Sequence, residues 1–293
     1  MKKFFYILFL FFFVFNLYAK KDDVFVYNIQ KGNIYNFYAD NSNIVPYQVV
    51  IVFKRNKEIF SFVVKPGSVS NFLFSYTNNS QFEPLYSVKK IIGDPYSVKV
   101  NEDYPYLLPF AHGIEFKVSQ GYGTRFTHRG WLKYSIDFSM NVGTPVYAAR
   151  GGVVVAVKDN SKIGGRSRRY RGHANYITIA HDDGTFAQYV HLNYAGSVVK
   201  VGDVVKAGDL IGYSGRTGRV TGPHLHFMVY KPVEGGLETI PIKFLMEDGS
   251  VAFLQSKKFY TGYNPDISDK KLISHKNQTN AYGIDDEDSL GEP

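Results

Sequence analysis

The sequence predicts a mostly β protein built from two successive units. Three observations carry that prediction. Short apolar runs recur between glycine, proline and asparagine turns. Aromatic residues are abundant, with 24 Phe and 23 Tyr in 293 residues, and strands accept them readily. Nowhere does a long amphipathic helical period stand out.

The first unit is expected over residues 20–105, as a β-sandwich-like domain. Its clearest strands are Tyr47–Phe53 (YQVVIVF), Ile59–Val64 (IFSFVV) and 71–76, punctuated by Pro66-Gly67 and by Asn78-Asn79-Ser80. Its scattered polar residues read as solvated faces, and no chemistry is visible there. Residues 101–115 (NEDYPYLLPFAHGIE) read as a linker. The second unit, 106–235, is again strand-rich and has many glycines. Strands are expected at 153–157, Tyr176–Ala180, 187–191 and 225–230. Residues 236–293 form a C-terminal extension. Past Gln255 it turns polar, ends in Asp285-Asp286-Glu287-Asp288, and is expected to be loosely attached.

At the start, two lysines precede an apolar run from Phe4 to Phe15, and Ala19 closes the stretch. This is the pattern of a secretory signal, with 1–19 expected to be removed. A retained membrane tether is the alternative, although the run is short for a full span. Cysteine is absent, which excludes disulfides and leaves His, Asp and Glu as metal ligands. The formal charge of +8 favours acidic wall polymers or membrane surface. No nucleic-acid motif accompanies it, so nucleic acid is not expected as a partner.

Six of the eight histidines (His128, His173, His181, His191, His224 and His226) fall between residues 128 and 226. Asn175 and His181 read as polar anchors of loops beside strands. His224-Leu225-His226 stands apart. On a strand, residues i and i+2 face the same way, so both imidazoles would converge while Leu225 turns aside. Asp137, between Ile136 and Phe138, would need a partner if buried; a metal, backbone N–H groups or an arginine each would serve. His191, at the end of an expected strand, suits acid or base work near neutral pH. Catalytic zinc takes three protein ligands and keeps a fourth position for water. No H-E-x-x-H helix is present, so histidines would have to handle the protons.

These residues sit in a larger pattern: Gly121-Tyr122-Gly123-Thr124-Arg125, Ile136-Asp137-Phe138, Gly143-Thr144-Pro145-Val146-Tyr147-Ala148-Ala149, Tyr189-Val190-His191-Leu192, and the run from Gly215 to Phe227 that ends Thr-Gly-Pro-His-Leu-His-Phe. Over about 116–231 the chain resembles the lysostaphin-type (LytM-like) zinc metallopeptidases. The resemblance implies an antiparallel β-sheet peptidase domain with a groove, barrel-sandwich-like, holding one zinc ion per chain. It implies endopeptidase action on peptide cross-links of bacterial peptidoglycan, in the periplasm or cell envelope. Carried over by residue, Asp137 and His226 match two zinc ligands. His191 and His224 match the histidines that orient water and stabilise the transition state.

One position departs from the family's H-x-G-x-D pattern, because Lys133 stands where the first histidine ligand belongs. A protonated lysine cannot ligate zinc. His128-Arg129-Gly130 keeps the H-x-G half five residues earlier, and a branch of the family carries such a spacer before a Tyr-x-x-Asp-Phe start like 134–138. His128 is therefore the expected third ligand. A catalytically inactive relative that binds wall or activates another hydrolase is the alternative. The loop 162–171 (KIGGRSRRYR) offers Arg166, Arg168 and Arg169 to the carboxylates of wall peptides, or is simply solvated. The hairpin 201–212 also resembles those of biotinyl and lipoyl carriers. It lacks their Met-Lys-Met or Asp-Lys-Ala context, so it reads as scaffold rather than as a carrier or phosphotransfer element.

Overall fold

The computed structural model describes residues 24–80, 82–124 and 127–266. The expected signal at 1–19 and the acidic end at 285–288 lie outside the described residues. Before residue 265, helical structure among the described residues is confined to two 3₁₀ segments, Gly130–Leu132 and Arg168–His173. The rest is strand and turn, as the mostly β expectation requires.

The N-terminal unit pairs two three-stranded antiparallel sheets. One has Ile34–Asn41 between Val24–Lys31 and Ser68–Thr77; the other has Tyr47–Phe53 between Ile59–Val64 and Tyr86–Ile92. Alternate residues of Ile34–Asn41 are buried, and the side chains between the sheets are chiefly aromatic. Phe53 stacks on Tyr76 at 4.0 Å between ring centroids, Phe60 on Phe74 at 4.2 Å, and Phe37 on Phe74 at 4.7 Å. Aromatic pairs add about 0.5–1.5 kcal/mol each beyond their area. That lets a unit of this size hold a core without disulfides.

A nine-stranded sheet dominates the second unit. Its central strand, Leu225–Val233, is flanked by Phe186–Val190 and Ser135–Phe138. Outward from the first lie Tyr176–Ala180, Gly152–Lys158 and Val204–Val205; outward from the second lie Glu115–Gln120 and Phe259–Thr261. Strand alternation divides the two faces. Leu225, Phe227 and Val229, with Ile136, Phe138, Ile177, Ile179, Ala187 and Tyr189, point into the main core and are buried. His226, Met228 and Tyr230 point the other way.

That second face is shared with the N-terminal unit. Val155, Phe186, Met228 and Tyr230 form a buried cluster against Val45 and Ile92. Gln48 ties the seam, its amide donating to the Val233 carbonyl at 2.9 Å and its oxygen accepting from Gly235 N at 3.1 Å.

The expected loose attachment after Gln255 gives way to a paired strand. Phe259–Thr261 lies antiparallel to Glu115–Gln120, and Leu254 beside it is 5% exposed. The polar composition there belongs to an edge strand, which wets one side and one rim. Similarly, Gly236–Thr239 continues the central strand as a hairpin, and Lys243–Leu245 pairs with Pro105–Tyr106.

Candidate metal centre

Register assembles the site. Across neighbouring strands, Gln120 stands opposite Asp137, Asp137 opposite His226, and His226 opposite Val190, one residue before His191. Four strands therefore contribute to one row. His224 immediately precedes the central strand Leu225–Val233, which starts where expected. Pro223 has no N–H to offer a ladder. The two histidines converge all the same, as the His-Leu-His spacing predicts.

They converge on one oxygen. Asp137 Oδ1 lies 2.8 Å from His226 Nδ1, 3.2 Å from His128 Nε2 and 3.8 Å from His224 Nε2. Asp137 is 3% exposed and His128 fully buried. His128 Nε2, Asp137 and His226 form a group of three donors whose atoms lie within 4.8 Å of one another. His128 reaches in from the loop after Gly121, while Lys133 points to solvent with its ammonium 4.8 Å over the Tyr134 ring. The approach of His128 to Asp137 and His226, on which the sequence argument turned, is thus present.

Backbone carbonyls fix the ring orientations. His128 Nδ1 faces Gly121 O at 3.0 Å, His191 Nδ1 faces Thr217 O at 2.8 Å, and His224 Nδ1 faces Gly222 O at 3.0 Å. A carbonyl only accepts, so each Nδ1 carries the proton and each Nε2 lone pair is directed elsewhere. For His128 that places a lone pair against a carboxylate oxygen, with no hydrogen bond to Nε2. Such a contact calls for a cation between the two.

Without a metal, a proton would take the cation's place. Burial alone would lower the His128 pKa, but the Asp137 carboxylate outweighs it and the pKa is raised. Burial acts to raise the Asp137 pKa; the close contacts of His128 and His226, with the charges of His226 and His224, overcome this and hold it well below the usual carboxylate range. His191 is pushed down to about 3, chiefly by burial and then by the charges of His224 and His226, so it is uncharged at neutral pH. Its ring centroid is 4.7 Å from that of His224 and 5.9 Å from that of His226. His191 also adopts φ 69, a left-handed backbone rare outside glycine.

Arg166, Arg168 and Arg169 are exposed. Their loop is tied down where Gly164–Gly165 pairs with Gly218–Arg219, the segment that runs on to His224. Asn175 is fully buried and holds three backbone groups, at Ser161 and Asn193; His181 donates from Nδ1 to Gly151 O at 2.8 Å. Both are loop anchors, as expected. Sequence reasoning passed over Gln120, whose amide donates to Asp137 Oδ2 at 2.6 Å.

Residues 132–238 match the description Peptidase family M23. The peptidoglycan DD-endopeptidase ShyA of Vibrio cholerae is 30% identical over 198 residues, which is 67% of this chain and 38% of that protein. Lysostaphin of Staphylococcus simulans is 42% identical over 114 residues, 38% of this chain and 21% of that protein. Among solved structures, the catalytic domain of the prophage-encoded M23 protein EnpA from Enterococcus faecalis is 31% identical. That match covers 43% of this chain and 88% of that one, with a TM-score of 0.34. The chain spans less than half the length of the curated relatives named here.

Proposed function

Because this chain belongs to peptidase family M23, we propose that it is a zinc-dependent endopeptidase cutting peptide cross-links of bacterial peptidoglycan during cell-wall remodelling. The observation that carries this reading is the convergence of His128 Nε2 and His226 Nδ1 on Asp137 Oδ1. Two imidazole nitrogens and one carboxylate oxygen suit zinc and leave a position for water. The unbonded, buried Nε2 of His128 fits the same ion.

One zinc per chain would be held by His128, Asp137 and His226. Bound there, zinc lowers the pKa of its water and polarises the scissile carbonyl. The remaining chemistry falls to His191 and His224. Both keep Nδ1 on a backbone carbonyl and so present a bare Nε2. His191, uncharged by burial, takes the proton of the attacking water and becomes an imidazolium that steadies the tetrahedral oxygen. It then delivers the proton to the leaving amine. His224 orients the water beside it. Arg166, Arg168 and Arg169 receive the carboxylates of the wall peptide. The proposed substrate follows the activities named for the relatives; acting on it requires a location outside the cytoplasm, with the apolar start 1–19 read as the export signal.

Purified residues 20–293 and the His226→Ala variant should be compared for zinc content and for release of new amine ends from peptidoglycan. One zinc per chain with cleavage, both lost in the variant, is the expected result. A folded wild-type protein with neither would overturn the proposal.

A further inference from the structure

We infer that Gln120 is the positioning residue that aims Asp137 Oδ1 at the metal. This rests on the zinc reading above. Gln120 Nε2 donates to Asp137 Oδ2 at 2.6 Å. An ionised carboxylate only accepts, so the amide is oriented with its nitrogen toward Asp137. Its oxygen accepts from Thr127 Oγ1 at 3.2 Å and from Thr124 Oγ1 at 3.3 Å. Thr127 directly precedes His128. A single side chain thus grips both the carboxylate and the loop that supplies the neighbouring histidine.

The consequence is directional. Oδ2 is occupied by a neutral donor, which leaves Oδ1 facing His128, His226 and His224. A cationic partner in the same place would cancel the charge that zinc requires; an amide fixes the rotamer and leaves the charge intact. Ser119 completes the hold, its hydroxyl donating to the Asp137 carbonyl at 3.1 Å. The hydroxyls of Thr124 and Thr127 hold the amide in this orientation.

The test is zinc affinity by chelator competition on residues 20–293. Gln120→Met keeps length and removes every amide contact; its zinc dissociation constant should rise about 10- to 100-fold, the usual cost of an outer ligand partner. Thr127→Val keeps the bond to Asp137 and should stay within about threefold of wild type. The visible spectrum of the cobalt-substituted protein should shift in Gln120→Met at saturating cobalt, which simple loss of stability would not cause. If Gln120→Met does not fold, Gln120→Asn, whose amide is withdrawn by one methylene, should show the same loss in smaller degree. Unchanged affinity in a folded Gln120 variant overturns the inference and leaves the zinc reading standing, as does a loss in Thr127→Val equal to that in Gln120→Met. A wild-type chain that binds no zinc overturns both.

Discussion

His128 Nε2 stands 3.2 Å from Asp137 Oδ1 although nine positions separate the two residues, while Lys133, four before the aspartate, turns outward. The loop between them folds back so that the more distant residue is the nearer neighbour. His128→Ala is therefore expected to weaken zinc binding by at least about 100-fold, since it removes one of three ligands. Lys133→Ala should leave zinc content and activity within about twofold. Parallel metal analysis and peptidoglycan digestion of the two variants checks this, and the reverse ranking would defeat the assignment.

Metal removal should be visible in stability as well as activity. A ligand bound at a thousand times its dissociation constant stabilises the native state by about 4 kcal/mol. Chelated protein should melt at a lower temperature and recover on adding zinc. His226→Ala should melt at the same temperature with or without chelator.

Acid should destabilise the fold through His181. Burial, then the charge of Arg150, lowers its pKa from 6.5 to about 4. The folded protein therefore binds fewer protons than the unfolded chain. Stability from this residue is complete above about pH 6.5 and declines as pH falls toward about 4, by roughly 3 kcal/mol in total. Asp183, held below its ordinary pKa mainly by hydrogen bonds from Thr185 and Arg150 against the opposing effect of burial, extends the loss at still lower pH. Urea unfolding at pH 7 and pH 4 should show a smaller difference in His181→Gln than in wild type, by about that amount.

Core packing gives a prediction independent of chemistry. Ile179 is fully buried in the main cluster, so Ile179→Ala should cost about 2–5 kcal/mol through lost burial and the cavity left behind. Denaturant titration measures it directly.

Close backbone approach gives another. A Cβ on Gly164 would lie 1.9 Å from Arg216 O, and one on Gly218, at φ +80, would lie 2.6 Å from the Ala174 side chain. Gly218→Ala should therefore open the pairing of Gly164–Gly165 with Gly218–Arg219. The expected result is faster proteolysis between 162 and 171 and a rise in KM for wall peptide, with zinc content unchanged.

Much of this was legible in the sequence because it follows from local rules. Strands Tyr47–Phe53, Ile59–Val64 and Tyr176–Ala180 appear with the bounds their apolar runs and turn residues suggest. The pairing of His224 with His226 follows from period two. What was hidden depends on register and on chain reversal. Nothing local tells Gln120 that it will face Asp137, because a one-residue slip would turn it away. Phe259–Thr261 reads as polar tail because an edge strand need bury little. That Met228 and Tyr230 would meet Val45 and Ile92 is set by tertiary packing, which leaves no periodic mark.

The central strand joins two functions along its length. His226 stands near its start, and Met228, Tyr230 and Val233 further along make the seam with the N-terminal unit. The two units should consequently lose structure together, in one cooperative thermal transition. Cutting the chain near residue 105 would bare Phe186, Met228 and Tyr230 to water and lower solubility. Any change in activity after such a cut would then reflect a loosened strand beneath His226.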